Sequence, residues 1–143
     1  FDPEINDWLN KKLNRTEFMP FAPPILFENA NKYLVDFVSE KAADFMTITY
    51  DIKEGMKEKI PAVVHVDNTA RPQIVRKNIN ESFHKIINAF YKRTGIPVVL
   101  NTSFNMHEEP IVYTPNDAIK SFLNGKLDYL AIGNFLIKHP EVF

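Results

Sequence analysis

Residues Asn80 to Thr94 place apolar side chains on one helical stripe, and the short apolar run Ile96 to Leu100 follows at once. Apolar residues spaced three and four apart are typical of a helix that packs one face against a core. Asn80 suits the N-cap position, and Gly95 suits the C-terminal stop. A helix followed directly by a buried strand predicts a sheet with helices packed against it.

The same alternation continues through the second half of the chain, and the sequence predicts an α/β (α+β) fold. Thr114, Pro115 and Asp117 open a second strong helix that ends at Gly125. The three prolines in residues 20–24 exclude regular structure there. The other predicted elements are a helix over 5–13, a helical turn near 29–34, and strands over 45–52, 62–66, 73–76, 129–132 and 135–137.

Composition excludes several classes of site and partner. The length of 143 residues suits one domain, and the absence of cysteine excludes disulfides, thiolate zinc sites and cysteine nucleophiles. Four scattered glycines leave no glycine-rich phosphate loop. The net charge of −1 predicts no nucleic-acid partner, and no apolar run approaches the ~20 residues of a membrane span. We also expect no metal site, because the histidines lack partners at ligand spacing.

The chain begins at Phe1, and no basic head with an apolar run follows it. We therefore expect residues 1–143 to be one domain cut from a longer, cytoplasmic protein.

Polar residues cluster in the segment that follows the predicted strand 62–66. In an extended chain alternate side chains share a face, which would align His65, Asp67, Thr69, Arg71 and Gln73. Such a row can bind an anion or a nucleotide, with Arg71 as a forked donor to phosphate. A solvated edge strand explains the same pattern.

A second polar cluster follows the predicted strand 96–100. Asn101, Thr102, Ser103 and Asn105 carry short amide and hydroxyl groups, which can hold phosphate oxygens at a strand end. A turn closed by local side-chain bonds is the alternative. Near the first helix, Lys11, Lys12 and Arg15 form a small basic group. A solvated helix face also explains the two lysines.

Four segments together resemble the O-carbamoyltransferase family of the NodU and CmcH type. Residues 14–23 resemble its "R-E-x-F-R-P-F-A-P" motif, and residues 60–73 resemble its "H-V-D-G-T-A-R-x-Q" segment. Residues 94–105 and 109–118 are similar to "T-G-x-P-V-L-L-N-T-S-F-N" and "E-P-I-V-x-T-P-x-D-A". The resemblance runs from about Trp8 to Ile137.

The resemblance implies a YrdC-like C-terminal domain, with a twisted mixed sheet flanked by helices. Such a domain handles carbamoyl phosphate and ATP, with Mg²⁺ on the ATP phosphates, and makes carbamoyl adenylate. An N-terminal transferase domain of the same protein, with its own metal ion, then passes the carbamoyl group to a hydroxyl of a sugar or natural product. A non-catalytic module that binds a nucleotide or anion for regulation is the alternative. The oligomeric state and the acceptor stay open.

The resemblance also implies roles for individual residues. Arg15 and Arg71 would clamp phosphate, and Ser103 and Asn105 would contact the nucleotide or carbamoyl group. His65 and Asp67 would orient the ligand or transfer a proton. Thr69, Gln73, Asn101 and Thr102 are further binding candidates. The family's lysine two positions before Arg15 is Leu13 in this chain, so Lys12 is the candidate replacement, and Met19 and Asn68 also depart from the family pattern.

Overall fold

The computed structural model describes residues 4–12 and 21–142. Their residues fall into two compact units, one made of residues 4–5 and 21–102 and the other of residues 6–12 and 103–142. The described part combines helices with parallel and antiparallel strand pairs, which confirms the predicted mixed α/β class. The helices and strands are α1 (Ile5–Lys12), β1 (Pro24–Leu26), α2 (Ala30–Tyr33), β2 (Tyr50–Asp51), β3 (Thr69–Ala70), β4 (Gln73–Val75), α3 (Glu81–Thr94), α4 (Pro115–Asn124), β5 (Tyr129–Ile132) and β6 (Phe135–Lys138).

Strand β1 is at the centre of the first unit and is paired on both edges. It runs parallel to β4, with Ile25 opposite Ile74, and antiparallel bridges join Ile25 to Val98 and Ala22 to Asn101. The prolines were predicted to exclude regular structure from residues 20–24, and β1 corrects this at Pro24, because a proline lacks an N–H but its carbonyl still accepts a hydrogen bond. The Pro23 carbonyl accepts from the Gln73 N–H at 2.9 Å, and the Pro24 carbonyl accepts from Val99 at 3.2 Å. The predicted strand 96–100, which follows α3, is therefore an extended segment that pairs with β1.

Helix α3 packs against β1 and forms the core of the first unit. Leu26, Val75 and Ile87 are buried together, with Phe83, Tyr91 and Val99 packed around them. Both predicted ends of the helix are confirmed. The Asn80 side chain accepts from the Phe83 N–H at 3.2 Å, and Gly95 takes a left-handed conformation with φ of 74°.

His84 lies near the start of this amphipathic helix, a position that predicts an exposed side chain. The structure corrects this expectation, because the residue is only 6% exposed. It lies three residues before the buried Ile87, which places both on the core face of α3. Its Nε2 is 2.8 Å from the Glu28 carboxylate, which provides a polar partner at the edge of the core.

Two predicted strands are mostly absent from the first unit. Residues 45–52 contribute only the pair Tyr50–Asp51, because Lys41–Phe45 forms a 3₁₀ helix that ends in a left-handed Met46. Pro61–Val63 forms a further 3₁₀ turn where strand 62–66 was predicted. The apolar run 62–66 also predicts burial, which is right for Ala62 and Val63, each 1% exposed, and wrong for Val66, which is 88% exposed. A short apolar run marks burial without determining the backbone conformation.

In the second unit, α4 begins with a capping box. The Asp117 N–H donates to the Thr114 hydroxyl, and the Asp117 carboxylate accepts from the Thr114 N–H at 2.9 Å. The apolar residues of α4 predict a buried face of Ala118, Ile119, Phe122 and Leu123, and Ala118 and Phe122 are buried. Ile119 and Leu123, predicted to be buried with them, are each 42% exposed.

The predicted pair of C-terminal strands is confirmed as an antiparallel hairpin, with Ile132 opposite Phe135 across the turn. β5 contacts α4, so the hairpin and this helix share the second unit. Across the described ranges, none of the helices combines the length and apolar character that a membrane span requires.

Candidate functional site

The candidate segment that begins at His65 is a tight turn rather than an extended strand. The His65 N–H donates to the Thr69 carbonyl at 2.8 Å, and the Asn68 N–H donates back to the His65 carbonyl at 3.0 Å. Asn68 has φ of 65°, a left-handed conformation that asparagine tolerates better than most residues. The expected alternation of side chains over residues 65–69 is therefore wrong, since the chain reverses there.

The turn nevertheless brings three of the predicted site residues into one hydrogen-bonded network. The Thr69 hydroxyl donates to the Asp67 carboxylate at 2.8 Å, and the Thr69 N–H donates to the same oxygen at 3.0 Å. His65 Nδ1 is 3.0 Å from the Thr69 hydroxyl. Because the hydroxyl proton is directed to Asp67, the hydroxyl oxygen accepts from Nδ1–H. A neutral His65 in this arrangement has its free lone pair on Nε2.

The same contacts keep Asp67 ionised. The Thr69 hydroxyl and N–H bonds, with a smaller contribution from the nearby His65, hold the pKa of the Asp67 carboxyl below its ordinary value of 3.8. Hydrogen bonds to the charged form of a carboxylate favour that form. At neutral pH the turn therefore carries a fixed negative charge at Asp67.

Arg71 and Gln73 follow the turn and differ in their surroundings. Arg71 is exposed, and its guanidinium makes no hydrogen bond or ion pair within residues 4–12 and 21–142. Gln73 is half-buried on β4, where its Oε1 accepts from Asn101 Nδ2 at 3.1 Å. This contact joins the two candidate segments of the first unit. Thr102 is half-buried in the same unit.

Asn105 belongs to the second unit and is held by its own loop. Its Nδ2 donates to the Glu109 carbonyl at 2.7 Å, and because a carbonyl can only accept, this bond determines the orientation of the amide. The Asn105 Oδ1 atom is buried and has no partner among the described residues. Ser103, in the same unit, is exposed.

A cavity of about 430 Å³ lies next to this loop in the second unit. Its wall includes Glu109, the residue that holds Asn105, and the capping residue Asp117 with Lys120 on α4. Apolar lining comes from Ile111 and its neighbours. The cavity therefore combines both signs of charge with apolar surface.

Lys12 also belongs to the second unit, at the end of α1. Its Nζ donates to the Lys126 carbonyl and lies 4.7 Å from the centre of the Trp8 ring. The ammonium is thus committed to contacts within this unit. The other predicted cation of this region, Arg15, lies outside the described residues, as do Leu13 and Met19.

Arg76, directly after β4, is a largely buried cation that was not predicted from the sequence. Arg76 Nε donates to both Asp44 oxygens, at 3.0 and 2.9 Å, and its Nη1 donates to the Ser39 hydroxyl at 3.1 Å. The guanidinium carbon also lies 4.2 Å from the centre of the Phe27 ring. The available signal was its position directly after a buried strand, the criterion that selected Asn101.

The residues that the structure describes include no group of three or more histidine, aspartate or glutamate side chains arranged to hold a metal ion.

Comparison with known proteins agrees with the motifs. The family model described as carbamoyltransferase C-terminus matches residues 1–139. The chain is 48% identical over 94% of its length to the Methanocaldococcus jannaschii protein MJ1051, described as uncharacterized, and covers 26% of that protein. It is 44% identical over 92% of its length to nodulation protein NolNO of Sinorhizobium fredii, and covers 20% of it. Nodulation protein NolO of Bradyrhizobium diazoefficiens is 39% identical over 94% of the chain, which covers 25% of that protein.

The chain thus spans about a quarter or less of the length of these relatives. The family match covers nearly all of the chain and includes both the His65–Thr69 turn and the Asn105 loop. On this match, the chain belongs to the carbamoyltransferase C-terminus family.

Proposed function

We propose that this chain is the domain of an O-carbamoyltransferase that binds carbamoyl phosphate and ATP and forms carbamoyl adenylate. The carbamoyl group would then pass to a hydroxyl of a sugar or natural product, by action of the longer polypeptide found in the relatives. Mg²⁺ would arrive with ATP, coordinated mainly by the phosphates. The observation that carries the proposal is the exposed Arg71, which follows a hydrogen-bonded turn and whose guanidinium makes no hydrogen bond or ion pair with the described residues.

The candidate residues of each unit, taken separately, suit one part of the substrates. The planar, permanently charged Arg71 matches phosphate oxygens in a forked geometry. His65, held by Thr69 with its lone pair on Nε2, can accept a proton or a hydrogen bond from the ligand. The Asn105 amide, oriented by its bond to the Glu109 carbonyl, is the candidate contact for the carbamoyl group. Fixed donors and charges are the groups expected to stabilise phosphoryl and acyl transfer.

The decisive experiment measures pyrophosphate release from ATP in the presence and absence of carbamoyl phosphate. Replacing Arg71→Ala removes a charge-assisted bond, so we expect ATP affinity to fall roughly ten- to a hundredfold. Asn105→Ala should lower carbamoyl-phosphate-dependent release. Arg93→Ala, an exposed cation in the last turn of α3, is the matched control and should leave both quantities unchanged. Unchanged ATP binding and turnover in both site variants would remove this assignment.

A second candidate function, a non-catalytic nucleotide or anion-binding module, is favoured by the contacts of Lys12. Its ammonium is engaged with the Lys126 carbonyl and the Trp8 ring, so it is not free in this arrangement to replace the family's lysine. The same assay separates the two functions. Binding of ATP or carbamoyl phosphate by calorimetry without any pyrophosphate release, even in the full-length polypeptide, would support the module.

A further inference from the structure

The turn over residues 65–69 is fastened to a lysine that lies outside it. Lys57 Nζ donates to Asn68 Oδ1 at 2.8 Å. Because an ammonium group can only donate, this bond also determines the orientation of the Asn68 amide. Asn68 is the left-handed residue of the turn, so the bond brings a positive charge to the segment that contains His65 and Asp67.

Both partners of this bond are held by backbone contacts. The Asn68 carbonyl accepts from the Ile52 N–H at 3.0 Å. Lys57 begins a 3₁₀ turn over Lys57–Lys59, and its carbonyl accepts from the N–H of Ile60, a fully buried residue. A side chain that is already held loses less conformational entropy when it binds a ligand.

The charge of Lys57 is not neutralised by this contact. Its acceptor is a neutral amide, and within residues 4–12 and 21–142 the ammonium group forms no ion pair with a carboxylate. Arg76 differs in this respect, since its charge is paired with Asp44. An ammonium group has three N–H donors, of which Asn68 takes one. Lys57 is exposed, so its two remaining donors and its full charge are available to an anion.

A second unpaired cation follows the same turn. Arg71 lies three residues after Asn68 and is also exposed. A triphosphate carries several negative charges along its length, so one cation can bind it as a fork and another as a point charge. The first unit therefore supplies its own lysine, Lys57, at the turn that Arg71 follows.

Asn68 makes this arrangement a feature of this chain. The family segment that residues 60–73 resemble has glycine where this chain has Asn68. Glycine takes a left-handed conformation readily but has no side chain that could orient a lysine. Asparagine tolerates the same backbone conformation and adds an acceptor for Lys57.

We propose that Lys57, positioned by Asn68, binds the phosphate groups of ATP as a second cation in addition to Arg71. Lys57 is then a binding residue, and Asn68 is a positioning residue that acts through it. The proposal rests on the proposed function, because it requires a polyphosphate substrate at this turn.

The test measures the affinity of the chain for ATP with Mg²⁺ by calorimetry, after circular dichroism has established that each variant folds. Lys57→Met removes the charge, so we expect the dissociation constant to rise roughly tenfold, whereas Lys57→Arg should retain most of the affinity. Lys59→Met is the matched control, because Lys59 is an exposed lysine of the same 3₁₀ turn. It should change the affinity less than about twofold, since solvent and salt screen a charge that does not contact the ligand.

A double-mutant cycle separates the role of Asn68 from that of Lys57. Asn68→Gly keeps the backbone conformation but leaves the lysine unpositioned, so we expect affinity to fall roughly threefold. Adding Asn68→Gly to Lys57→Met should weaken binding no further, because Asn68 acts only through the lysine. A further loss in the double variant, equal to that of Asn68→Gly alone, would overturn the positioning role.

Arg71→Ala distinguishes this proposal from the proposed function. If Arg71→Ala loses affinity while Lys57→Met binds ATP as tightly as the wild type, Lys57 is not part of the site and this proposal fails alone. Equal losses in Lys57→Met and Lys59→Met would also overturn it, since the effect would then be one of net charge. If the wild-type chain binds no ATP, the proposed function fails and this proposal fails with it.

Discussion

The Arg76–Asp44 pair gives the sharpest stability prediction. The two side chains are 16% and 9% exposed, and their 2.9 Å contact is supported by the bond from Arg76 to Ser39. Arg76→Met keeps most of the buried stem but leaves the Asp44 carboxylate without its partner. Removing one partner of a buried pair costs about 3–5 kcal/mol, because the remaining charge stays buried. For a chain of this size we expect the melting temperature to fall by roughly 10–20 °C.

The assay is urea unfolding followed by circular dichroism, which reports on the helices of both units. The control is Lys85→Met, which breaks the Lys85–Glu81 contact of 2.9 Å between side chains that are 69% and 60% exposed. Such a surface pair contributes less than about 1 kcal/mol. The double variant Arg76→Met with Asp44→Leu should regain at least half of the loss, since no unpaired charge remains. The reasoning fails if Arg76→Met costs no more than the control, or if the double variant is as unstable as the single one.

Two further predictions concern hydroxyl groups. Thr114→Ala removes the acceptor that caps α4, so the free energy of unfolding measured in urea should fall by about 1 kcal/mol. Thr114→Ser keeps the hydroxyl and should match the wild type. Equal stability of all three proteins would contradict the capping role. Thr69→Val removes the hydroxyl bond to Asp67, so the pKa of Asp67 should rise toward its ordinary value of 3.8, as followed by carbon NMR of the carboxyl group. The pKa of Asp67 is lower in the folded protein than in the unfolded chain, so the network stabilises the fold at pH values above the ordinary pKa. This stabilisation is lost as the pH falls through the folded pKa of Asp67. An unchanged Asp67 pKa in Thr69→Val would refute the network.

The helices were predictable because their signals are local. The apolar spacing of α3, its Asn80 cap and the Gly95 stop all lie within 16 residues, as do the Thr114–Asp117 capping box and the body of α4. The turn at His65 was also signalled locally, since Asp67 and Asn68 are typical turn residues. The alternation of polar residues favoured an extended chain, and the turn chemistry determined the backbone instead.

The parts that could not be predicted depend on contacts between distant residues. Asp44 and Arg76 are 32 residues apart, and Asn101 meets Gln73 only after the chain has folded around β1. No periodicity marks such pairs in a sequence. The buried position of His84 is a similar case, because its polar partner Glu28 lies 56 residues earlier.

The double pairing of β1 has a consequence for synthesis on the ribosome. One edge of β1 stays unpaired until β4 has been synthesised. The other edge stays unpaired until the segment that ends at Asn101, 75 residues after Leu26, has been synthesised. At translation rates of about 5–20 residues per second, that delay is roughly 4–15 s. During this interval the nascent chain carries the apolar β1 with unpaired backbone, so recruitment of a chaperone is most advantageous before residue 101 emerges.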